Sequence, residues 1–147
     1  MKANDKPIII EETFKTSLES IWNALTDINQ MRKWYFENIP AFEPVIGFET
    51  EFNVKSDERN FLHQWKVTEV KPPEMIKYEW QYEDYPGRSA TTFELKEQDD
   101  QVLLKLTVDV LEDFPDDIPE FRKESCIDGW EYFIKDRLKT FLNTYNK

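Results

Sequence analysis

The chain contains one histidine, His63, and one cysteine, Cys126. Nucleophilic catalysis by such a pair needs a thiolate with a base in hydrogen-bond reach, and nothing in the spacing brings the two together. Cys126 reads as a small apolar filler on a helix. His63 reads as a polar ring among aromatics, satisfied by one hydrogen bond. The alternatives are a polar anchor that orients a ligand, and a general base titrating near pH ~6.5 with no evident partner. One histidine and one cysteine do not supply the common zinc sets. The acidic clusters Glu97, Asp99, Asp100 and Asp113, Asp116, Asp117 lack the EF-hand pattern and read as solvated turns. Three glycines leave no phosphate-cradling loop, and no G-x-S-x-G elbow is present. No catalytic residue, metal or cofactor is therefore expected.

What remains is aromatic surface with sparse polar groups, the usual composition of a small-molecule site. In HQWKVTEVKPPEMIKYEW (63–80), His63, Trp65 and Val67 share one side of an alternating run, and Ile76, Tyr78 and Trp80 share one side of the next. Adding Tyr82 and Phe93 on strands and Trp130, Phe133 and Ile134 on a helix gives a candidate ligand cavity. Its expected occupant is an apolar or aromatic small molecule, oriented by His63, Tyr78 and Tyr82. Trp22, Trp34 and Phe14 read as core anchors instead.

The elements that position these residues follow from periodicity. Residues 8–14 read as a strand. Thr16 with Glu19 has the form of a capping box, followed by Leu18, Ile21, Trp22 and Leu25 on one helical face. Asp27 caps a second short helix carrying Ile28, Met31, Trp34 and Tyr35. Alternation over 46–54, 61–70, 75–82, 89–96 and 102–111 predicts five strands, with turns at 56–60, 71–74, 84–88 and 97–101. Short turns between consecutive strands predict an antiparallel meander. Asp117, Pro119 and Glu120 look like a helix start. Ile127, Trp130, Ile134, Leu138, Phe141 and Tyr145 then hold an apolar stripe along a helix of about 25 residues, almost 40 Å long. The reading is an α+β fold over 1–147 as one domain. A curved antiparallel sheet of about six strands wraps a long C-terminal helix, with two short helices after the first strand.

The net charge of −11 disfavours nucleic acid and anionic membranes as partners. Solubility accounts for it; a basic protein surface is the sharper alternative. No apolar run approaches a membrane span and no signal-peptide core is visible. A single cysteine fits a reducing compartment, so a cytoplasmic location is expected.

Five stretches in this order resemble a known family: SIWNALTD (20–27) with Trp34, Gly47 before a strand, VTEVKPPEMIKYEW (67–80), TTFEL (91–95) and GWEYFIKDRLKTFL (129–142). The superfamily is the START-like one (SRPBCC, birch-pollen-allergen-like). Within it the chain resembles homologues of the activator of the ninety-kilodalton heat-shock protein ATPase. The resemblance implies a helix-grip fold with a cavity between sheet and long helix. Members bind lipids, hormones, polyketides or other apolar molecules, a few are cyclases or components of hydroxylating enzymes, and the eukaryotic activators bind a chaperone. A non-enzymatic ligand-binding domain is the expectation, with a chaperone-activating module as the alternative and a cyclase or hydrolase as a third reading. The chain departs from the pattern in three places. It has Gly47-Phe48 where two glycines are frequent, it lacks the threonine usual near position 102, and Trp65 stands where glycine is frequent. An indole at position 65 either plugs the implied cavity or walls it.

Overall fold

The computed structural model describes residues 1–145, with the side chains of Thr144 and Tyr145 outside the description, so the place of Tyr145 on the predicted helical stripe lies outside the described residues. The elements run β1 (Ile8–Phe14), α1 (Leu18–Thr26), α2 (Ile28–Trp34), β2 (Glu49–Ser56), β3 (Arg59–Lys71), β4 (Met75–Tyr82), β5 (Tyr85–Gln98) and β6 (Gln101–Glu112). A short 3₁₀ turn, Pro119–Phe121, leads into the C-terminal helix. That helix comprises α3 (Lys123–Glu131), a π-helical stretch (Tyr132–Leu138) and α4 (Lys139–Tyr145).

The six strands form one antiparallel sheet in the order β1-β6-β5-β4-β3-β2. Strands β2 to β6 are a meander of tight hairpins, and β1 closes the order by pairing with β6, Ile8 opposite Val108 and Phe14 opposite Val102. Three of the turns are tighter than the sequence predicts, Gln98 pairing Gln101 in one of them. Ser56 pairs Arg59 across a two-residue turn, and Tyr82 pairs Tyr85, so Pro86 and Gly87 lie within β5 and not in the loop. Asp57 and Asp99 take positive φ at two of the turns, a conformation that short polar side chains tolerate.

Alternation puts Phe61, His63, Trp65 and Val67 of β3 on the covered face. Ile76, Tyr78 and Trp80 of β4 and Thr91, Phe93 and Leu95 of β5 join them. The C-terminal helix covers that face through Trp130, Ile134, Leu138 and Leu142, all buried. In an α-helix, Trp130 to Leu142 spans about 3.3 turns, which would carry Leu142 a third of a turn off the stripe. The wider i→i+5 turns of the π stretch remove that drift and keep both ends on the sheet.

Two local expectations are corrected. The cap of α1 is Ser17, whose hydroxyl accepts from the Ser20 backbone N–H at 3.1 Å, not the Thr16/Glu19 box. The chain enters the helix one residue later, so Ser20 occupies the reciprocal position. The C-terminal helix begins at Lys123 and not at 117–120, because Arg122 is extended (φ −77, ψ 149) and separates it from the 3₁₀ turn. Asp27 does cap α2, accepting from the Gln30 N–H at 3.2 Å.

Candidate functional site

A cavity of about 130 Å³ lies between the sheet and the start of the C-terminal helix. Its floor is Trp80, Tyr82, Ser89, Thr91 and Val108 from the sheet. Phe114 and Phe121 from the connection after β6, together with Met1, close one end. Cys126, Gly129, Trp130 and Phe133 form the helical roof, and Phe36 forms the other end wall. Ser125 and Gly129, both exposed, mark the side facing solvent.

The polar groups are few and mostly committed. Tyr82 accepts from Trp80 Nε1 at 2.9 Å through its hydroxyl oxygen, which leaves its own O–H free to donate. Burial raises the Tyr82 pKa well above the ordinary phenol value, with the Trp80 hydrogen bond only partly opposing it, so the group stays a neutral donor. Ser89 donates weakly to the Trp80 carbonyl at 3.5 Å, and Thr91 adds a second buried hydroxyl. Burial pushes the Cys126 thiol up to about 11, which removes thiolate character at neutral pH. Glu120 borders the cavity, where burial works against its charge. Hydrogen bonds from Arg59 (2.9 and 3.1 Å) and Ser56 (2.8 Å) outweigh burial and hold its carboxyl below the usual range.

Of the nine residues singled out in the sequence, the structure places Trp80, Tyr82, Trp130 and Phe133 on the cavity. His63, Trp65, Tyr78, Phe93 and Ile134 lie packed in the adjoining core. The division shows at Trp65. Its indole is 2% exposed and meets Tyr35, Phe52, Tyr78 and Trp80 with centroids 4.8–5.3 Å away. The indole fills its part of the sheet's covered face with packed rings and does not line the cavity, so position 65 is filled core and not a cavity wall.

Sequence reasoning missed Phe36, after the end of α2, and Val108, Phe114 and Phe121 as cavity walls, and it placed Tyr35 on the face of α2 without its part in the adjoining core. Tyr35 leaves helical geometry (φ −103, ψ −113) and stacks on Trp34 at 4.6 Å. Its hydroxyl shares a 2.8 Å hydrogen bond with Tyr78. Burial raises both phenols far beyond their ordinary range. The signal was present in the WYF run at 34–36, but helical spacing places only some of its rings, and the distorted helix end turns Phe36 inward as well.

His63 is 5% exposed, enclosed by Phe36, Phe52, Trp80 and Tyr82 at 4.8–5.3 Å. Its Nδ1 lies 2.9 Å from the Phe61 carbonyl. A carbonyl only accepts, so Nδ1 carries the proton. Burial lowers the pKa to about 4, the hydrogen bond to Phe61 opposing it weakly. The ring is neutral at physiological pH and does not reach the cavity. Among the described residues no cluster of histidine, cysteine and carboxylates could hold a metal ion. No helix there is long and apolar enough to cross a membrane.

An antiparallel sheet gripping a C-terminal helix, with two short helices after the first strand and a cavity under the helix, defines a helix-grip domain of the START-like type. The chain belongs to the Activator of Hsp90 ATPase homolog 1-like family, whose model matches residues 15–143. Solved structures agree on the fold. Protein Mll3558 from Rhizobium loti superposes with a TM-score of 0.79 at 19% identity, over 93% of this chain and 96% of that one. Protein CV1439 from Chromobacterium violaceum gives 0.76 at 20% identity, over 91% and 94%. The Aha1 dimer from Colwellia psychrerythraea gives 0.69 at 21% identity, over 92% and 94%. No curated protein matches the chain.

Proposed function

We propose that this chain is a non-enzymatic binding domain for a small apolar or aromatic molecule held between the sheet and the C-terminal helix. The observation that carries the reading is the 130 Å³ cavity walled by Trp80, Phe114, Phe121, Trp130 and Phe133. Cavities of roughly 150 Å³ with apolar walls accept one benzene-sized ring, so the volume restricts the occupant to that scale. Tyr82, Ser89 and Thr91 supply hydroxyls at the floor, suited to one polar substituent. Ring burial at roughly 25 cal/mol per Å² drives binding, without a reaction. The Cys126 thiol is unactivated and the only histidine is sealed in the core, which supports a binding role over acid–base chemistry.

Cys126 lines the cavity and reports on its occupancy. Thermal-shift measurements with phenol, toluene and indole, paired with the rate of Cys126 labelling by a thiol reagent, test the proposal. Binders are expected to raise the melting temperature and slow labelling in the same rank order. No shift and unchanged labelling with every one of these probes would overturn it.

A second reading, a chaperone-activating module, draws on the family and on the net charge of −11, which suits a basic docking surface. Stimulation of the host chaperone's ATPase, weakened by salt, is its expected signature. Unchanged turnover at low salt would remove it.

A further inference from the structure

Phe36 and Phe133 belong to two hollows at once. They wall the inner cavity, and they also line a solvent-facing groove of about 540 Å³. The groove continues along Tyr35, Glu37, Asn38, Asn53, Val54, Lys55 and Arg137. Only these two phenyl rings are common to both linings. They meet edge to face, with centroids 5.1 Å apart, and both are half-buried. Each stands at a departure from regular helix. Phe36 follows the distorted end of α2 at Tyr35, and Phe133 lies in the π stretch, a feature that concentrates at functional sites.

The two hollows differ in chemistry. The inner one is apolar with hydroxyls, and its bordering carboxylate, Glu120, is committed to Arg59 and Ser56. The outer one carries two cations, Lys55 and Arg137, against one exposed acid, Glu37. Neither cation is ion-paired among the described residues. Arg137 donates to the Lys33 carbonyl at 2.9 Å and more weakly to the Tyr132 hydroxyl at 3.5 Å, so it is positioned without being neutralised. In a chain with 30 acidic and 19 basic residues, a groove with a cationic excess is against the general charge.

We infer that the cavity and the groove are the two halves of one site, separated by the Phe36–Phe133 pair, for a ligand that joins an apolar ring to a carboxylate. The ring occupies the inner half, the two phenyl groups part to let the linker through, and the carboxylate meets Lys55 and Arg137. This inference rests on the ring-binding reading above and adds the anionic group and the route.

The test is a tryptophan-fluorescence titration at low salt with ω-phenylalkanoates of increasing chain length, each matched to the alcohol of equal length, with phenol as reference. At the length that spans the partition, the carboxylate should bind about tenfold more tightly than the alcohol, as expected for a charge-assisted contact. Lys55→Gln, an exposed substitution on edge strand β2, should reduce that preference without changing phenol affinity. Arg137→Gln, with its fold checked by circular dichroism, should reduce it further. Phe133→Ala should relax the length dependence. If phenol binds but acids and alcohols match at every length, this inference falls and the ring-binding reading stands. If phenol and both series fail to bind, both fall.

Discussion

The indole of Trp65 lies against the ring of Tyr35 with centroids 5.3 Å apart, and its Nε1 is buried with no hydrogen-bond partner among the described residues. One side chain from β3, the neighbour of edge strand β2, and one from a helix end thus meet on the covered face of the sheet. The contact fills that part of the face with packed rings beside the cavity, and it leaves a buried donor unmatched among the described residues.

Two substitutions at Trp65 should separate these effects. Trp65→Phe removes the unpaired N–H, which costs roughly 1–3 kcal/mol when buried, along with part of a packed ring. The two nearly cancel, so chemical denaturation should show a change within about 1 kcal/mol. Trp65→Ala vacates the full indole and should cost about 3–5 kcal/mol. Added indole should recover much of that loss for Trp65→Ala and shift the wild type less. Absence of rescue would mean that the surrounding rings collapse into the gap.

The buried Tyr35–Tyr78 hydrogen bond predicts non-additive behaviour. Replacing either tyrosine with phenylalanine strands the other hydroxyl in a site fully enclosed by rings. Each single change should cost roughly 1–3 kcal/mol, while the double change leaves no orphan and should cost less than the sum. Urea midpoints of the four proteins close the cycle.

His63 predicts a pH dependence of known sign. Its folded pKa, about 4, lies below the unfolded value of 6.5. The unfolded chain therefore binds the proton first as pH falls, and stability drops from about pH 6.5 down to about 4. At pH 5 the loss relative to pH 7 is about 2 kcal/mol. A His63→Leu variant lacks this contribution, so its denaturation midpoint should fall less between pH 7 and pH 5 than the wild type's. Parallel slopes for the two proteins would show that the carboxylates alone govern the acid side.

The legibility of this chain in its sequence divides along physical lines. Strands and their covered faces were readable because alternation has a period of two and a one-residue error exposes the whole face. Phe61, His63, Trp65 and Val67 leave no choice of side. The cavity was less readable, because burial and cavity-lining look the same in a pattern of apolar residues. Trp65 and Trp80 are neighbours across β3 and β4, yet the first is filled core and the second a cavity wall. That difference depends on which ring Tyr35 and Phe36 bring from α2, across a distance that periodicity does not encode. The start of the C-terminal helix was likewise blurred, since the break at Arg122 follows a plausible Pro119 start.

Two glycines beside the cavity should respond oppositely to alanine. Gly87 lies in β5 at φ +113, and a Cβ there would run into the ring of Phe114, a wall of the cavity. Both the left-handed backbone and the collision oppose a side chain, so Gly87→Ala should destabilise the protein by more than about 1 kcal/mol. Phe114 would have to move, and the affinity of any cavity ligand should change with it. Gly129 is helical, and a Cβ there meets nothing within 4 Å. Its only effect is the backbone freedom lost on folding, so Gly129→Ala should stabilise by roughly 0.5–1 kcal/mol. Melting temperatures of the two variants should therefore move in opposite directions. A gain at Gly87 would show that Phe114 is loosely held, and with it that end of the cavity wall.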